Sequence, residues 1–184
     1  MLDQKELGVI GGPEKRDIKI VEYNPTWPKK FQEHAEIIRT ALGSTALKIE
    51  HIGSTSVPGL AAKPIIDILV VVPNSSDEDA YLTQLESAGY VLRVREPDFY
   101  EHRMMRTPEK DVHIHIYSPD SPEVERYLLL RDELQSNPEA LTRYEAVKRE
   151  LAENDWSDMN EYADAKTKVV EEIIESARKN LPKK

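Results

Sequence analysis

The sequence predicts an α/β domain in which a sheet is flanked by helices and followed by a helical C-terminal portion. The run at 64–72 is apolar on both faces except at Asp67, which is typical of a strand inside a sheet. Apolar residues recur every three or four positions in 27–42, as in an amphipathic helix. Every segment beyond Pro119 has a helical pattern. The 184 residues suffice for one domain with its own core.

The first elements are predicted from breaks and alternation in the pattern. Residues 1–16 are expected to form a flexible leader, because Gly11-Gly12-Pro13 interrupts any regular structure. Polar and apolar residues alternate over 17–23, which predicts a half-buried strand, and Asn24-Pro25-Thr26 predicts a turn and helix cap. In chain order, the predicted strands are 17–23, 46–52, 64–72, 90–96, 99–107 and 111–118, and the predicted helices are 27–42, 76–88, 122–136, 138–153 and 160–179.

The remaining limits follow from cap and turn residues. The strand at 46–52 stops at Gly53, and the helix at 76–88 lies between a capping Ser76 and Gly89. The predicted organisation is a leader (1–16), a single domain (17–178) with a sheet core (17–118) and C-terminal helices (122–178), and a tail (179–184).

The composition is that of a soluble globular protein, with 32% charged and 39% hydrophobic residues. The formal net charge of −9 argues against a broad nucleic-acid-binding surface. The absence of cysteine excludes disulfides and cysteine-ligated metals. No apolar run approaches the roughly 20 residues of a membrane helix, and the first residues lack a secretory signal pattern. We therefore expect a cytoplasmic protein without a membrane partner, and the sequence does not predict its oligomeric state.

The turn formed by Gly53, Ser54, Thr55 and Ser56 follows a predicted strand. Small residues there would let a phosphate approach the backbone N–H groups, and the hydroxyls would add donors. The same residue types are common in ordinary strand-to-helix turns, so the turn alone does not decide between the two roles. The P-loop pattern GxxxxGK[ST] is absent.

Three further positions carry charge or metal-binding groups. A carboxylate inside an apolar strand is costly unless a cation compensates it, so Asp67 predicts either a metal or a buried pair with Arg or Lys. Alternation places Asp111, His113 and His115 on one strand face, which could ligate a metal, bind an anion or simply face solvent. Arg131 falls in the core-facing arc of its helix, where its partner could be Asp67, another carboxylate or a ligand phosphate, unless its head group reaches solvent from the edge.

One long segment resembles a known family. The run IEHIGSTSVPGLAAKPIIDILVVV is similar to the GrpB family, a mostly bacterial group with a nucleotidyltransferase-like fold, and a related domain is fused to some dephospho-CoA kinases. The resemblance extends to YNPTWPKKFQEHAEII, to the histidine-rich strand and to YLLLRDELQSNPEALTRYEAVKRELA, and covers roughly 17–178.

The resemblance implies a phosphate-and-metal site with one departure. The nucleotidyltransferase superfamily uses a Gly-Ser turn, a following strand with Asp-x-Asp/Glu and a third carboxylate from a later strand. Gly53 and Ser54 match the turn and Asp67 matches the first carboxylate, but Leu69 stands where the second should be. Asp67 with His113 and His115 would suit manganese or zinc better than magnesium.

These observations lead to one principal expectation for function. If the protein is an enzyme, it would use a divalent metal (Mg, Mn or Zn) at Asp67, assisted by His113 or His115, to transfer a nucleotidyl or phosphoryl group from a nucleoside triphosphate to a small molecule or protein. Residues 53–56 would hold phosphate, and Lys63 and Arg131 would neutralise its charge. The alternatives are a catalytically degenerate module that binds a nucleotide or phosphorylated metabolite, and a metal-dependent hydrolase.

Overall fold

A computed structural model describes residues 7–15, 17–157 and 159–181 as a six-stranded sheet with helices on both faces. The strands are β1 (Gly8–Val9), β2 (Lys48–Ile52), β3 (Ile66–Val71), β4 (Val91–Glu96), β5 (His102–Arg106) and β6 (Val112–Tyr117). The helices are α1 (Trp27–Leu42), α2 (Leu82–Ser87), α3 (Pro122–Ser136), α4 (Pro138–Ala152), α5 (Met159–Ala165) and α6 (Thr167–Asn180). None of the helices in these ranges is both long and apolar enough to cross a membrane.

The sheet is mixed and has the strand order β1-β4-β5-β6-β3-β2. β3 and β6 pair in parallel, and the other neighbouring strands pair antiparallel. Because β3 lies between β6 and β2, the predicted interior position of the strand that carries Asp67 is confirmed. The register places Asp67 beside His113 and Leu69 beside His115. Side chains alternate between faces along a strand, so these four lie on one face.

The opposite face of β3 and β6 forms the main hydrophobic core. Its strand residues alternate with those of the Asp67 face and are fully buried: Ile66, Ile68, Val70, Ile114 and Ile116. They pack against α1 and α2 through Trp27, Ile38, Leu42 and Leu85. The double-sided burial explains why the run 64–72 reads as almost continuously apolar.

The C-terminal helices cover the face that carries Asp67. Val124, Tyr127 and Leu128 of α3 pack on β3 and β6, and α3 in turn contacts α4 and α6. α3 and α4 each begin with a proline after a capping residue, since the Ser121 and Asn137 side chains accept hydrogen bonds from backbone N–H groups of the first turns. The predicted class, an α/β sheet with flanking helices and a C-terminal helical portion, is confirmed.

Three predicted elements differ from the structure. Residues 17–23 form one isolated bridge, Val21 to Ala62, because the segment pairs with the loop before β3 instead of a sheet edge. The predicted helix at 76–88 is divided into a short 3₁₀ turn at Glu78–Ala80 and α2. The predicted helix at 160–179 is divided into α5 and α6 at Lys166.

Part of the segment predicted as a flexible leader contributes to the sheet, and residues 1–6 and 16 of it lie outside the described residues. β1 pairs with the edge strand β4, and Arg93 donates hydrogen bonds to the carbonyls of Ile10 and Gly12. Gly11 and Gly12 therefore do not prevent this segment from pairing with β4, which is distant in the sequence. The predicted tail beyond residue 181 lies outside the described residues.

Candidate functional site

Asp67, His113 and His115 lie together on the sheet face below α3. The Asp67 Oδ1 atom is 3.7 Å from His113 Nδ1 and 3.4 Å from His115 Nε2. Each of the three residues offers one ligand atom, and these atoms all lie within 4.8 Å of one another. Parallel pairing of β3 with β6 produces this cluster, since it brings residue 67 beside residue 113 and leaves 115 one pleat further along. The arrangement can hold a divalent cation.

The positive neighbours of Asp67 keep its carboxyl ionised. Burial raises the pKa of Asp67, but the His115 hydrogen bond, the charges of His113 and His115 and the Lys63 charge outweigh burial and lower that pKa below its usual value. The side chain is 28% exposed, so it is reached from the adjoining cavity. The site therefore contains an ionised Asp67 carboxylate beside the imidazole rings of His113 and His115.

Gly53 packs directly against the Asp67 carboxylate. A Cβ atom at position 53 would lie 2.6 Å from Asp67 Oδ2, and the Gly53 backbone has a φ of +71°. Both features require glycine, one for lack of space and the other for the left-handed backbone. The turn after β2 and the carboxylate of β3 are therefore in direct contact and form one unit.

The hydroxyls of the turn differ in what they contact. The buried Thr55 hydroxyl donates to the Ile65 carbonyl (3.0 Å) and accepts from His51 Nε2 (3.0 Å). Ser56 Oγ donates to the Gly53 carbonyl. Ser54 and Thr55 line the cavity, but these bonds hold the Thr55 and Ser56 hydroxyls within the turn. Of the three predicted phosphate donors, Ser54 is the one whose side chain carries no such bond among the described contacts.

Leu69 occupies a closed apolar position. It is fully buried and packs with Ile52, Val71 and Tyr117 under Tyr127 and Leu128 of α3. A carboxylate in this cluster would be surrounded by hydrocarbon, which is costly without a partner. α3 therefore explains the departure from the Asp-x-Asp/Glu pattern, because it covers the place where the second carboxylate would stand.

Lys63 and Arg131 both line the cavity. The Arg131 guanidinium donates to Glu50 Oε2 (2.8 Å) and to the His51 carbonyl (3.2 Å). Among the partners that sequence left open, those found are other carboxylates: Glu50 on β2 and Asp132 on α3, which accepts from Arg131 Nε at 2.8 Å. Lys63 Nζ lies 4.6 Å from the centre of the Tyr162 ring. Neither side chain points away from the site into solvent.

Asp111 is separate from the cluster. Its carboxylate accepts from Lys30 Nζ (2.5 Å) and from the Thr107 hydroxyl (2.7 Å). Alternation placed it on the histidine face, but β6 begins one residue later, and α1 supplies Lys30 as a partner distant in sequence. Arg93 binds the N-terminal segment, and Arg95 binds Glu78.

The cavity contains basic groups that sequence reasoning missed. It has a volume of about 420 Å³ and extends from Asp67 to the C-terminal helices. Lys148 Nζ is buried and donates to the Ala61 carbonyl (2.7 Å), and Lys166 Nζ lies 4.7 Å from the centre of the Tyr162 ring. Lys148 follows Tyr144 by one helical turn on the buried side of α4, which is the signal that had drawn attention to Arg131. His102, which contacts His115, and Glu96, which contacts His102, were also missed as a unit.

The chain is similar to several known proteins over most of its length. The family model described as GrpB protein matches residues 17–176. UPF0157 protein BH1888 from Halalkalibacterium halodurans is 48% identical over 165 residues, which cover 90% of this chain and 85% of that protein. A dephospho-CoA kinase from Mycolicibacterium paratuberculosis is 29% identical over 81% of this chain and 43% of its own length.

A solved structure shares the fold. The crystal structure of the conserved protein GrpB from Enterococcus faecalis aligns with a TM-score of 0.72 and 34% sequence identity, covering 86% of this chain and 98% of that one. The expected resemblance, including the related segment in dephospho-CoA kinases, is confirmed. Because the family model matches nearly the whole described chain and these relatives cover most of it, the protein belongs to the GrpB family.

Proposed function

We propose that the cavity binds a divalent metal and a phosphorylated ligand, and that the protein transfers a nucleotidyl or phosphoryl group from a nucleoside triphosphate to a small molecule or protein. The observation that carries the proposal is the position of the Asp67–His113–His115 cluster in the wall of a cavity that also contains several basic side chains. An oxygen-and-imidazole cluster beside amines is the arrangement expected for a metal that contacts a phosphate.

The donor set fits a single metal ion. Asp67 supplies a carboxylate oxygen, and His113 and His115 supply imidazole nitrogens, all within 4.8 Å of one another. Mixed oxygen and nitrogen ligands favour manganese or zinc over magnesium, which prefers oxygen. A bound metal would supply Lewis acidity toward a phosphate oxygen. Leu69 removes the second carboxylate, so a single-metal site is proposed.

Basic side chains at the far side of the cavity are the proposed phosphate contacts. Lys63, Lys148 and Lys166 lie around the rings of Tyr144 and Tyr162. Burial, followed by the charge of Lys166, lowers the pKa of Lys148 to about 7. An anion placed among these amines would lower their mutual repulsion. The buried Tyr162 hydroxyl, which has no hydrogen-bond partner among the described residues, would gain one from such a ligand.

The transfer itself exchanges one phosphorus–oxygen bond for another. The acceptor oxygen forms a bond to phosphorus, and the bond to pyrophosphate or nucleoside diphosphate breaks with its electron pair on the leaving group. The acceptor's proton is taken up by the leaving phosphate group. Lys63, whose charge acts on Asp67, and Ser54, which follows Gly53, hold the charged oxygens of the transferred group.

A binding module is the second candidate, and the burial of Leu69 favours it. A site without the second carboxylate could retain recognition of a nucleotide or phosphorylated metabolite while lacking transfer. In this case the basic cavity would bind its ligand, and the protein would act as an accessory component.

Thermal shift measurements separate these functions. The stabilisation by each nucleoside triphosphate is measured with Mg²⁺, Mn²⁺ and Zn²⁺ for wild type, Asp67→Asn and the control Asp111→Asn, whose carboxylate lies outside the cluster. Transfer predicts stabilisation that requires both metal and Asp67 and survives in Asp111→Asn. Nucleotide binding that is independent of metal would favour the module, and metal binding without any nucleotide effect would favour hydrolysis. The absence of both effects would contradict the proposal.

A further inference from the structure

A chain of hydrogen-bonding groups leads away from the metal cluster through His115. His115 Nδ1 is 3.2 Å from His102 Nε2, and His102 Nδ1 is 2.8 Å from Glu96 Oε2. At the other end, His115 Nε2 lies 3.4 Å from Asp67 Oδ1. The two imidazole rings are nearly parallel, with centres 5.4 Å apart. Two histidines therefore connect a carboxylate outside the cavity with the one inside it.

The carboxylate at Glu96 sets the direction of every hydrogen bond in the chain. An ionised carboxylate only accepts, so His102 must carry its proton on Nδ1. Neutral His102 then offers Nε2 as an acceptor, and His115 must donate from Nδ1. Neutral His115 in turn keeps its unprotonated Nε2 toward Asp67. Two lone pairs then face each other across 3.4 Å, an arrangement that a metal ion bound to both atoms would satisfy.

The surroundings keep this direction. His102 is 7% exposed and stacks on Tyr117, with ring centres 4.7 Å apart. A reversal of the chain would leave the Glu96 carboxylate facing a lone pair of His102 Nδ1 at 2.8 Å.

We propose that Glu96 and His102 are positioning residues that hold His115 in the Nδ1–H tautomer, so that its Nε2 is directed at the cavity as a metal ligand. Histidines that bind metals commonly donate their other ring nitrogen to a carboxylate or a carbonyl, and here a second histidine extends that contact by one residue. The inference rests on the proposed metal-binding function for its consequence, but the tautomer itself can be observed without metal or activity.

The tautomer is measured by long-range ¹H–¹⁵N correlation spectra of histidine-labelled protein, first without metal and again with Zn²⁺. The expected result is a protonated Nδ1 in both states, with zinc at Nε2. A protonated Nε2 in the metal-free protein, or zinc at Nδ1, would overturn the inference. A side chain that only filled space at position 102 would not determine which nitrogen of His115 carries the proton, so the measurement distinguishes positioning from packing.

Zinc titrations test the consequence in variants. His102→Phe keeps the stacked ring and removes both nitrogens, and we expect a loss of zinc affinity of about 10- to 100-fold. His34→Phe, on the opposite face, where the ring contacts Tyr90, is the matched control and should retain wild-type affinity. Glu96→Gln, whose amide can accept or donate, should lose affinity at the lower end of that range, and Glu101→Gln on the neighbouring turn should not. Glu96 is partly exposed, so this second variant remains informative if His102→Phe fails to fold.

The outcomes distinguish the two proposals. A wild-type protein that binds none of the metals would overturn the proposed function. Metal binding by wild type with equal affinity in His102→Phe and Glu96→Gln would overturn the positioning role and leave the proposed function standing.

Discussion

Gly53 and Asp67 are coupled at the level of single atoms. The glycine leaves no room for a Cβ beside Asp67 Oδ2, and its backbone lies in the left-handed region. A sequence pattern of a glycine turn followed fourteen residues later by an isolated aspartate is thereby explained by direct contact. The contact also implies that the position of the carboxylate depends on the turn.

Gly53→Ala is therefore expected to disturb the metal site as well as the fold. The added methyl would lie 2.6 Å from Asp67 Oδ2 and displace the carboxylate, so we expect metal affinity to fall at least about 10-fold. Left-handed backbone strain adds roughly 1–2 kcal/mol of destabilisation. Titration calorimetry gives the affinity, and urea unfolding gives the free energy of unfolding.

Gly59→Ala separates the two effects. Gly59 also has a positive φ, +81°, but nothing lies within 4 Å of an added Cβ. It should lose the same stability and keep its metal affinity. Equal metal affinity in the two variants would show that the clash with Asp67 is relieved without consequence.

The candidate site could be predicted in part because local patterns define strand faces. Alternation places His113 and His115 together, and the apolar run around Asp67 marks it as buried. Asp111 shares the same alternation, yet Lys30 of α1 binds it. The Glu50 partner of Arg131 and the chain from Glu96 to His115 also join residues far apart in the sequence. No local pattern contains that information, so the sequence predicts ligand types but not the groups that orient them.

Among the elements, α3 has the greatest influence on the site. It covers Leu69 with Tyr127 and Leu128, and it contributes Arg131 to the cavity wall. The 122–136 helix was predicted in full because proline and a capping serine define its start. The strand predicted at 17–23 was wrong, since alternation shows that a segment can be half-buried but not that a sheet edge is available to it.

Helix α4 introduces a buried amine whose protonation affects stability. The groups around Lys148 are Lys63 and Lys166 from neighbouring segments and Glu145 and Arg149 on its own helix. Burial and the neighbouring charges lower its pKa from 10.5 to about 7. Between these values the unfolded chain binds a proton that the folded chain does not. The free energy of unfolding therefore gains a positive slope with pH, of up to about 1.4 kcal/mol per pH unit.

Lys148→Met isolates this contribution. The difference in the free energy of unfolding between wild type and Lys148→Met should be constant below pH about 7 and should shift in favour of wild type as pH rises toward 10. Urea unfolding across this range measures it, and Lys29→Met, on an exposed surface of α1, is the control without such a shift. A flat difference over the whole range would mean that Lys148 stays protonated in the fold.

At the scale of the whole molecule, the N-terminal segment and the C-terminal helices both close around the sheet. The net charge of −9 is unevenly distributed, because basic side chains concentrate in the cavity and below the N-terminal segment. Glu14 binds Arg106 (2.8 Å) and Lys110 and lies 3.9 Å from Arg93. The composition alone could not predict this arrangement, since it depends on pairing between β1 and β4.

Glu14 consequently links the first described residues to β4, to β5 and to the turn before β6, and its charge should matter to stability. Burial raises the pKa of the Glu14 carboxyl, but hydrogen bonds from Lys110 and Arg106 outweigh burial and lower it to about 2. The stabilisation is present above the unfolded value of 4.5 and is lost as pH falls toward 2.

Glu14→Gln should lower the free energy of unfolding by about 2 kcal/mol at pH 7, and by less at pH 3. Glu22→Gln, which alters an exposed pair with Arg149, should have a smaller effect than Glu14→Gln at pH 7. Equal effects of the two substitutions at pH 7 would mean that the N-terminal segment contributes no more than an ordinary surface contact, and the sheet would then be stable without it.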